Sequence, residues 1–350
     1  MVSKKDIRAL SLSEIENFFK ENDEKPFRAK QVYEWLWKKS ARSFAEMTNL
    51  SLGIRQLLEK NFTLRTISLA ETQRSSDGTI KSVFKLHDGY IIEGVLIPTE
   101  NRMTACISSQ VGCSLTCKFC ATGKMVRKRN LEVGEIYDQV VEISRQAEKN
   151  HAKPLSNIVY MGMGEPLLNY NNVLESAEKI TSVNGLGISP KRITVSTAGI
   201  SKMIKKLADD AAKFNLALSL HAANDEKRSH IMPINEQNSL ASLKKALQYF
   251  HGKTGKRITF EYIIFNNFND EIIDAEELVK FCEHLPCKVN IIEYNPIDDA
   301  EFSQAEKQKV DAFANFLKNK NIPSSIRRSR GKDIDAACGQ LANKNSVITA

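Results

Sequence analysis

The sequence predicts an α/β protein: a parallel sheet with helices outside it, preceded by a small helical unit and a hairpin-like run of strands. Three observations predict this. From about residue 100, strand-like and helix-like runs alternate through six units, the pattern of parallel strands joined by crossover helices. Residues from about 66 to 97 instead hold short β-like runs separated by turn signals. Residues 1 to about 65 read as helical.

In the first part, Ser13 with Glu16 has the spacing of a capping box for a helix over Ile15–Phe19. Pro26 opens a second helix, PFRAKQVYEWLWKK, with Val32, Trp35 and Leu36 on one face. A third covers roughly Gly53–Lys60. Arg28, Lys30, Lys38 and Lys39 make this unit basic, which suits a nucleic-acid contact or a plain solvated face. The β-like runs are ISLAETQRS, TIKSVFKL and YIIEGVLIP, with Ser76-Asp77-Gly78 and Asp88-Gly89 as turns. Glu93 lies in the third run among Ile91, Ile92, Val95 and Leu96. A carboxylate there is outward-facing on an alternating strand or held in a cleft, and the pattern alone favours outward.

The strand-like runs that follow are Thr104–Ser109, Asn157–Met161, Arg192–Ser196, Asn215–Leu220, Arg257–Phe265 and Lys288–Tyr294. Between them lie helix-like runs over Val133–Glu148, Tyr170–Val183, Ile200–Ala208, Ser239–Phe250 and Ala275–His284. A further helix over about Ala305–Asn319 leads to a last strand-like piece, SSIRRSR.

The 350 residues suffice for one large domain and a small one. Lys and Arg exceed Asp and Glu by 50 to 42, and the resulting charge of +8 suits a polyanionic partner, although a solubility charge of this size is ordinary. The opening MVSKKDIRALS lacks the apolar core of a signal peptide. No apolar run approaches the roughly 18–20 residues that span a bilayer. A cytoplasmic protein without a membrane partner is expected. Seven cysteines, an odd number, then read as metal ligands or reactive thiols rather than a disulfide framework.

The most informative stretch is CISSQVGCSLTCKFC, Cys106 to Cys120. Cys113, Cys117 and Cys120 form a C-x3-C-x2-C run on one short loop directly after the first strand of the alternating part. Active sites of parallel sheets lie at the carboxyl ends of the strands, where this loop sits. Cluster loops usually offer four cysteines to a [4Fe–4S] cube. Three leave one iron free to bind a small molecule, which is what reductive cleavage of S-adenosylmethionine needs. A zinc knuckle would want four closed ligands, and no Cys or His closely follows Cys120; the next histidine is His151. Three inert buried thiols are the remaining reading.

Other strand ends carry small or polar groups. The second ends in MGMGEPLLN, with Gly162, Gly164 and Glu165. The third ends at Ser196, the fourth in Ser219-Leu220-His221, and the sixth in EYNPI with Asn295. Singly, such residues are ordinary turn formers; their recurrence suits hydrogen bonds to one ligand. Cys106 precedes the loop, and Cys338 stands in DIDAACGQL downstream of Arg327, Arg328, Arg330 and Lys332. A free cysteine is most often a small core residue, but these cations favour a thiolate at Cys338. Cys282 and Cys287 flank a helix end and read as core.

The cysteine loop, with Cys106 ahead of it and DIDAACGQL near the C-terminus, resembles the radical S-adenosylmethionine superfamily and, more narrowly, the RlmN family of adenine-C2 methyltransferases acting on 23S rRNA and tRNA. The resemblance runs through nearly the whole chain. It implies an RNA-binding accessory domain over 1–65, a β-rich linker over 66–98, a partial (β/α)6 radical-SAM barrel over 99–335, and a C-terminal segment over 336–350 carrying Cys338. It implies one [4Fe–4S] cluster on Cys113, Cys117 and Cys120. It implies two S-adenosylmethionine molecules per turnover, held by Gly164, Glu165, Ser196, Ser219, Leu220, His221 and Asn295. Met163-Gly164-Glu165 here matches the family's Gly-Gly-Glu motif.

The implied chemistry uses two thiols because C2 of adenine is electron-poor and cannot displace a methyl group from S-adenosylmethionine. Cys338 is methylated first. An adenosyl radical then takes hydrogen from that methyl, and the methylene radical adds to C2. Loss of an electron and of the C2 proton, with Glu93 matching the family's base, leaves a thioether. Cys106 attacks the sulfur of Cys338, releasing product and leaving a disulfide to be reduced. The resemblance also implies an external, flavodoxin-like electron donor. The base must leave its stack. Lys124, Arg127, Lys128 and Arg129, and the Arg327–Lys332 group, are placed to hold phosphates or are solvated faces. A monomer is expected. The alternatives are methylation at adenine C8, a radical enzyme acting on a small molecule, and a zinc-stabilised RNA-binding module without catalysis.

Overall fold

The computed structural model describes residues 4–343; residues 344–350 of the expected C-terminal segment lie outside them. The chain opens with β1 (Lys5–Asp6), α1 (Leu12–Glu21), α2 (Arg28–Trp37), α3 (Leu52–Asn61) and β2 (Phe62–Thr63), with β1 and β2 paired in parallel. The capping box of α1 is formed by Ser11 and Glu14, not by Ser13 and Glu16. Ser11 Oγ accepts from Glu14 N at 3.2 Å, and the Glu14 carboxylate accepts from Ser11 N at 2.7 Å. Ser13 already lies inside the helix. Pro26 precedes α2 rather than opening it, and Phe27 is the N-cap.

β3 (Ser68–Arg74), β4 (Ile80–Lys85) and β5 (Ile91–Thr99) form an antiparallel meander, and β5 pairs with β6 (Arg102–Cys106). The linker strands are therefore continuous with the main sheet. A small ribbon of β7 (Gln110–Val111) and β8 (Arg129–Asn130) brackets the cysteine loop. Then follow α4 (Val133–His151), β9 (Asn157–Tyr160), α5 (Tyr170–Thr181), β10 (Ile193–Thr197), α6 (Ser201–Asp209) and β11 (Asn215–Ser219). The chain continues through α7 (Asp225–Ile231), α8 (Leu240–Thr254), β12 (Ile258–Ile264), α9 (Ile272–Cys282), β13 (Cys287–Glu293), α10 (Lys307–Asn319) and β14 (Ser324–Arg327).

The main sheet has ten strands in the order β14-β13-β12-β11-β10-β9-β6-β5-β4-β3. From β6 to β14 every neighbouring pair is parallel. The alternation of apolar strands and amphipathic helices thus gives the open, partial barrel expected. Short strands β1, β2, β7 and β8 were not foreseen, and neither was the helix α7. It has no apolar periodicity; Asn224 caps it by accepting from Lys227 N at 3.1 Å, and acidic Asp225 and Glu226 fill its first turn.

The N-terminal unit packs on α4. The Arg8 guanidinium meets the Asp138 carboxylate at 2.7 Å, both side chains mostly buried. Tyr137 donates to the carbonyl of Trp37, and their rings cross edge-on with centroids 5.1 Å apart. A smaller apolar cluster of Leu115, Phe119, Ile231, Met232, Ile263, Phe265, Ile292 and Tyr294 backs the cysteine loop at the carboxyl ends of the strands.

Candidate active site

At those strand ends lies a cavity of about 300 Å³. Its wall carries Cys106, Cys113, Cys117, Cys120, Gly164, Glu165, Ser196, Ser219, His221 and Cys338. Most residues singled out in the sequence therefore meet in one place. Glu93, Leu220 and Asn295 are not on the wall.

The three loop thiols border this space with Phe119 packed edge-on to the His221 ring, centroids 4.7 Å apart. Burial pushes all three thiols up, Cys113 to about 11 and Cys117 further, and the thiolate charges of neighbouring cysteines push the same way at Cys113 and Cys117. Such a set binds a cationic group that can hold it deprotonated. Among the described residues, the only three metal-ligating groups with atoms within 4.8 Å of one another are His87, Glu132 and Glu135. Three sulfurs around one zinc ion would lie about 4 Å apart, given Zn–S bonds of about 2.3 Å. The three loop sulfurs are therefore not gathered as closely as three ligands of one tetrahedral ion, and three thiols on one loop suit an iron–sulfur cluster, which Cys113, Cys117 and Cys120 would hold.

Glu165 is buried on the wall. Its Oε1 accepts from Leu167 N at 3.0 Å and its Oε2 from Ala198 N at 2.7 Å, tying the end of β9 to that of β10. Burial raises its carboxyl, and these amides oppose the shift. Gly164 is obligatory: its φ is +93°, and a Cβ would stand 2.4 Å from Gln110 Cβ. Ser196 and Ser219 face each other at 3.3 Å between Oγ atoms. His221 Nδ1 accepts from Ile263 N at 3.0 Å; burial first, and the Arg228 charge second, lower its imidazole to about 3, so it is neutral. Asn295 Nδ2 donates to the Cys338 carbonyl at 3.3 Å, while its Oδ1 is buried without a partner. Leu220 is fully buried and takes part through its backbone, its N–H donating to the Glu261 carbonyl at 3.0 Å.

Cys106 ends β6 and is buried. Burial, and then the neighbouring Cys338, push its thiol well up. Cys338 is exposed to the cavity, yet its thiol is held at about 11, by loss of surrounding water first and the Glu261 charge second. Arg327 opposes this without overcoming it. The expected thiolate at Cys338 is therefore not what the resting site favours.

The segment around Cys338 is tied down. Ala121 N donates to the Gly339 carbonyl at 2.7 Å and Thr122 Oγ1 to the Leu341 carbonyl at 2.6 Å. Gly331 N donates to Asp77 Oδ2 at 2.9 Å, and Asp333 accepts from Ser75 Oγ at 2.6 Å.

Glu93 corrects the expectation from pattern: it is buried, not outward. It shares a strand face with Ile97, which lines the cavity as Leu341 does, and its Oε2 accepts from Ala342 N at 2.9 Å. Lys81, opposite Val95 on β4, shares this face and reaches Glu93 Oε1 at 3.8 Å. The basic stretch after the loop is corrected too. Arg129 is spent on Asp88 and Glu135 at 2.5 and 2.7 Å, and Lys124 on the carbonyls of Asp298 and Asp299. Arg127 and Lys128 stay exposed. Arg327, Arg328 and Arg330 border the cavity mouth. Cys282 and Cys287 are buried together, away from the cavity, as expected. Sequence reading missed Lys81, Gln110, which accepts from Glu165 N at 2.9 Å, and the buried Arg228, because none lies in a recognisable spacing.

Comparison with known proteins agrees with this geometry. The family model for the radical SAM superfamily matches residues 107–281, and that for the ribosomal RNA large subunit methyltransferase N-terminal domain matches residues 5–64. The chain is 62% identical to a probable dual-specificity RNA methyltransferase RlmN of Cytophaga hutchinsonii, covering 98% of this chain and 94% of that protein. It is 44% identical to the protein of the same description from Bacillus subtilis, over 97% and 93%. A crystal structure of a radical SAM methyltransferase from Sphaerobacter thermophilus superposes with a TM-score of 0.91 at 38% identity, covering 96% of this chain and 99% of that one. With a cluster loop, a barrel and an accessory unit all matched along its length, the chain belongs to the RlmN family of radical S-adenosylmethionine RNA methyltransferases.

Proposed function

We propose that this protein methylates C2 of an adenine in 23S rRNA, and of the adenine 3′ to the anticodon in tRNAs, with Cys338 as methyl carrier and Cys106 as resolving thiol. The observation that carries the reading is that these two cysteines, more than two hundred residues apart, line the same cavity as Cys113, Cys117 and Cys120. Bound there, a [4Fe–4S] cluster and S-adenosylmethionine supply a 5′-deoxyadenosyl radical, with two S-adenosylmethionine molecules used per turnover. Cys113, Cys117 and Cys120 hold the cluster. Glu165, Ser196, Ser219 and His221 border the volume for S-adenosylmethionine, with Gly164 giving close backbone approach.

The methyl carbon carried on Cys338 Sγ loses one hydrogen atom to the 5′-deoxyadenosyl radical and bonds to C2, so that the sulfur is joined to the base through that carbon. The adduct radical gives up one electron to the oxidised cluster and its C2 proton to Glu93, once Ala342 has moved off the carboxylate. Cys106 then attacks as a thiolate. Its sulfur bonds to that of Cys338 while the sulfur–carbon bond to the base breaks. The electron pair of that bond leaves with the carbon, which takes a proton and becomes the methyl of the product. The Cys106–Cys338 disulfide returns to two thiols by an external two-electron reductant. Arg327, Arg328 and Arg330 at the cavity mouth receive the RNA phosphates. The protein acts in the cytoplasm as a monomer with a flavodoxin-like electron donor; among the described residues no helix is long and apolar enough to cross a membrane.

The test is anaerobic reaction of reconstituted wild type and Cys338→Ala with S-adenosylmethionine, reductant and an rRNA fragment or tRNA, followed by digestion and mass spectrometry. 2-Methyladenine from wild type alone is expected. A variant that methylates as well as wild type removes Cys338 from the reaction, and 8-methyladenine removes the C2 assignment.

A further inference from the structure

Arg228 is a cation that the protein itself does not neutralise. It stands on α7, is fully buried, and is among the largest such side chains in the molecule. Its Nη2 donates to the carbonyls of Ala198 at 2.5 Å and Ser219 at 3.2 Å, its Nε to that of Leu220 at 3.1 Å, and its Nη1 to Asn235 Oδ1 at 2.8 Å. All four acceptors are neutral. No carboxylate of the described residues lies within the 4.0 Å of an ion pair with it. The carboxylate felt at longer range, Asp225, is engaged elsewhere, accepting from Asn235 Nδ2 at 2.8 Å and Leu240 N at 2.9 Å. A buried unpaired charge is costly, by several kcal/mol in real proteins, and carbonyl dipoles offset only part of it.

The cysteine loop packs against the end of the same helix: Ile231 and Met232 belong to the apolar cluster on which Cys113, Cys117 and Cys120 lie, and Lys118 N donates to the Ile231 carbonyl at 3.0 Å. Ala198 and Ser219, whose carbonyls hold the guanidinium, line the cavity beside Cys117. A [4Fe–4S] cube held by three thiolates carries net negative charge, and gains one more unit on reduction. Charge near a cluster sets its potential.

We propose that Arg228 is the fixed countercharge of the cluster, an electrostatic positioning residue that makes the loaded site electrically whole and raises the potential at which the cluster accepts its electron. The inference rests on Cys113, Cys117 and Cys120 holding that cluster. The step is a one-electron reduction by the external donor, with no proton taken up and the guanidinium charged throughout. Because the same guanidinium holds Ala198, Ser219 and Leu220, loading the cluster also firms the strand ends that border S-adenosylmethionine.

The test is a redox titration, followed by electron paramagnetic resonance, of anaerobically reconstituted wild type, Arg228→Gln, Arg228→Met and Arg228→Lys, with iron content measured on each. The lysine variant keeps a cation and loses the fork. The neutral variants are expected to hold a cluster whose reduced-to-oxidised ratio, at fixed donor potential, is down by roughly tenfold, about 59 mV for one electron. The lysine variant is expected near wild type. Neutral variants that fail to hold iron while the lysine variant holds it at wild-type potential also support the countercharge. Neutral variants with wild-type potential overturn it. Failure of all three overturns it as well, leaving Arg228 a brace for carbonyls. Wild type that holds no iron–sulfur cluster refutes the cluster assignment, and the countercharge falls with it.

Discussion

Glu93 Oε2 accepts a hydrogen bond from the backbone N–H of Ala342, 2.9 Å away and 249 residues later in the chain. The acid proposed to take the C2 proton is thus also the anchor of the segment behind Cys338. Burial raises its carboxyl, and Lys81 opposes that shift. Glu93→Gln would leave Lys81 buried without its partner, at a cost of about 3–5 kcal/mol in urea unfolding. Lys81→Met with Glu93→Gln should recover most of that loss, since two neutral groups replace a pair. A single variant as stable as wild type would show that the pair is not formed.

Asp77 and Asp333 latch the segment from the other side. Burial alone would raise Asp77, but hydrogen bonds from Thr79, Gly331 and Ser75 outweigh it and hold the carboxyl at about 2, below its ordinary 3.8. A depressed carboxyl contributes stability above its ordinary value that is lost as pH falls through the folded one. The difference in urea midpoint between wild type and Asp77→Asn should therefore shrink as pH falls from about 4 toward 2. A difference constant across that window contradicts the latch.

The three loop thiols proposed to hold the cluster are all held above their ordinary value by burial. Protons therefore compete with iron for them. The cluster should be lost to a chelator faster at pH 6 than at pH 9, read from its visible absorbance. Equal retention at both would mean the thiols are already ionised without metal.

Cys106 is raised by burial first and by the charge of Cys338 second. Its attack needs the thiolate. In single-turnover experiments, resolution of the RNA–protein adduct should quicken steadily as pH rises from 7 to 9. Cys106→Ala should trap the adduct, seen as a band shifted by the mass of the RNA. A pH-independent rate would point to a step other than thiol attack.

The placement of the cysteine loop was legible because its signal is local: three cysteines in one short spacing after a strand, which the structure brings to the cavity wall. The parallel strands were legible as apolar runs. Glu93 was misjudged because alternation reports which residues share a face, not whether the chain's far end covers it. Lys81, on the neighbouring strand and the same face, gave no signal in one dimension. Arg129 looked like a phosphate contact because its partner Asp88 lies 41 residues earlier. Arg228 was invisible for a related reason: α7 is short, polar and held by a cap rather than by an apolar stripe.

The latch between Asp77 and Gly331 joins the two outer regions of an open sheet without a shared ladder of hydrogen bonds. During synthesis the cluster loop leaves the ribosome more than two hundred residues ahead of Cys338. Contacts that place the segment around Cys338 reach back to residues already made: Asp77, Glu93, Ala121, Asn295. On the proposed roles, the nascent chain would hold its cluster ligands before its methyl carrier, and completion of the polypeptide would be the event that arms the site.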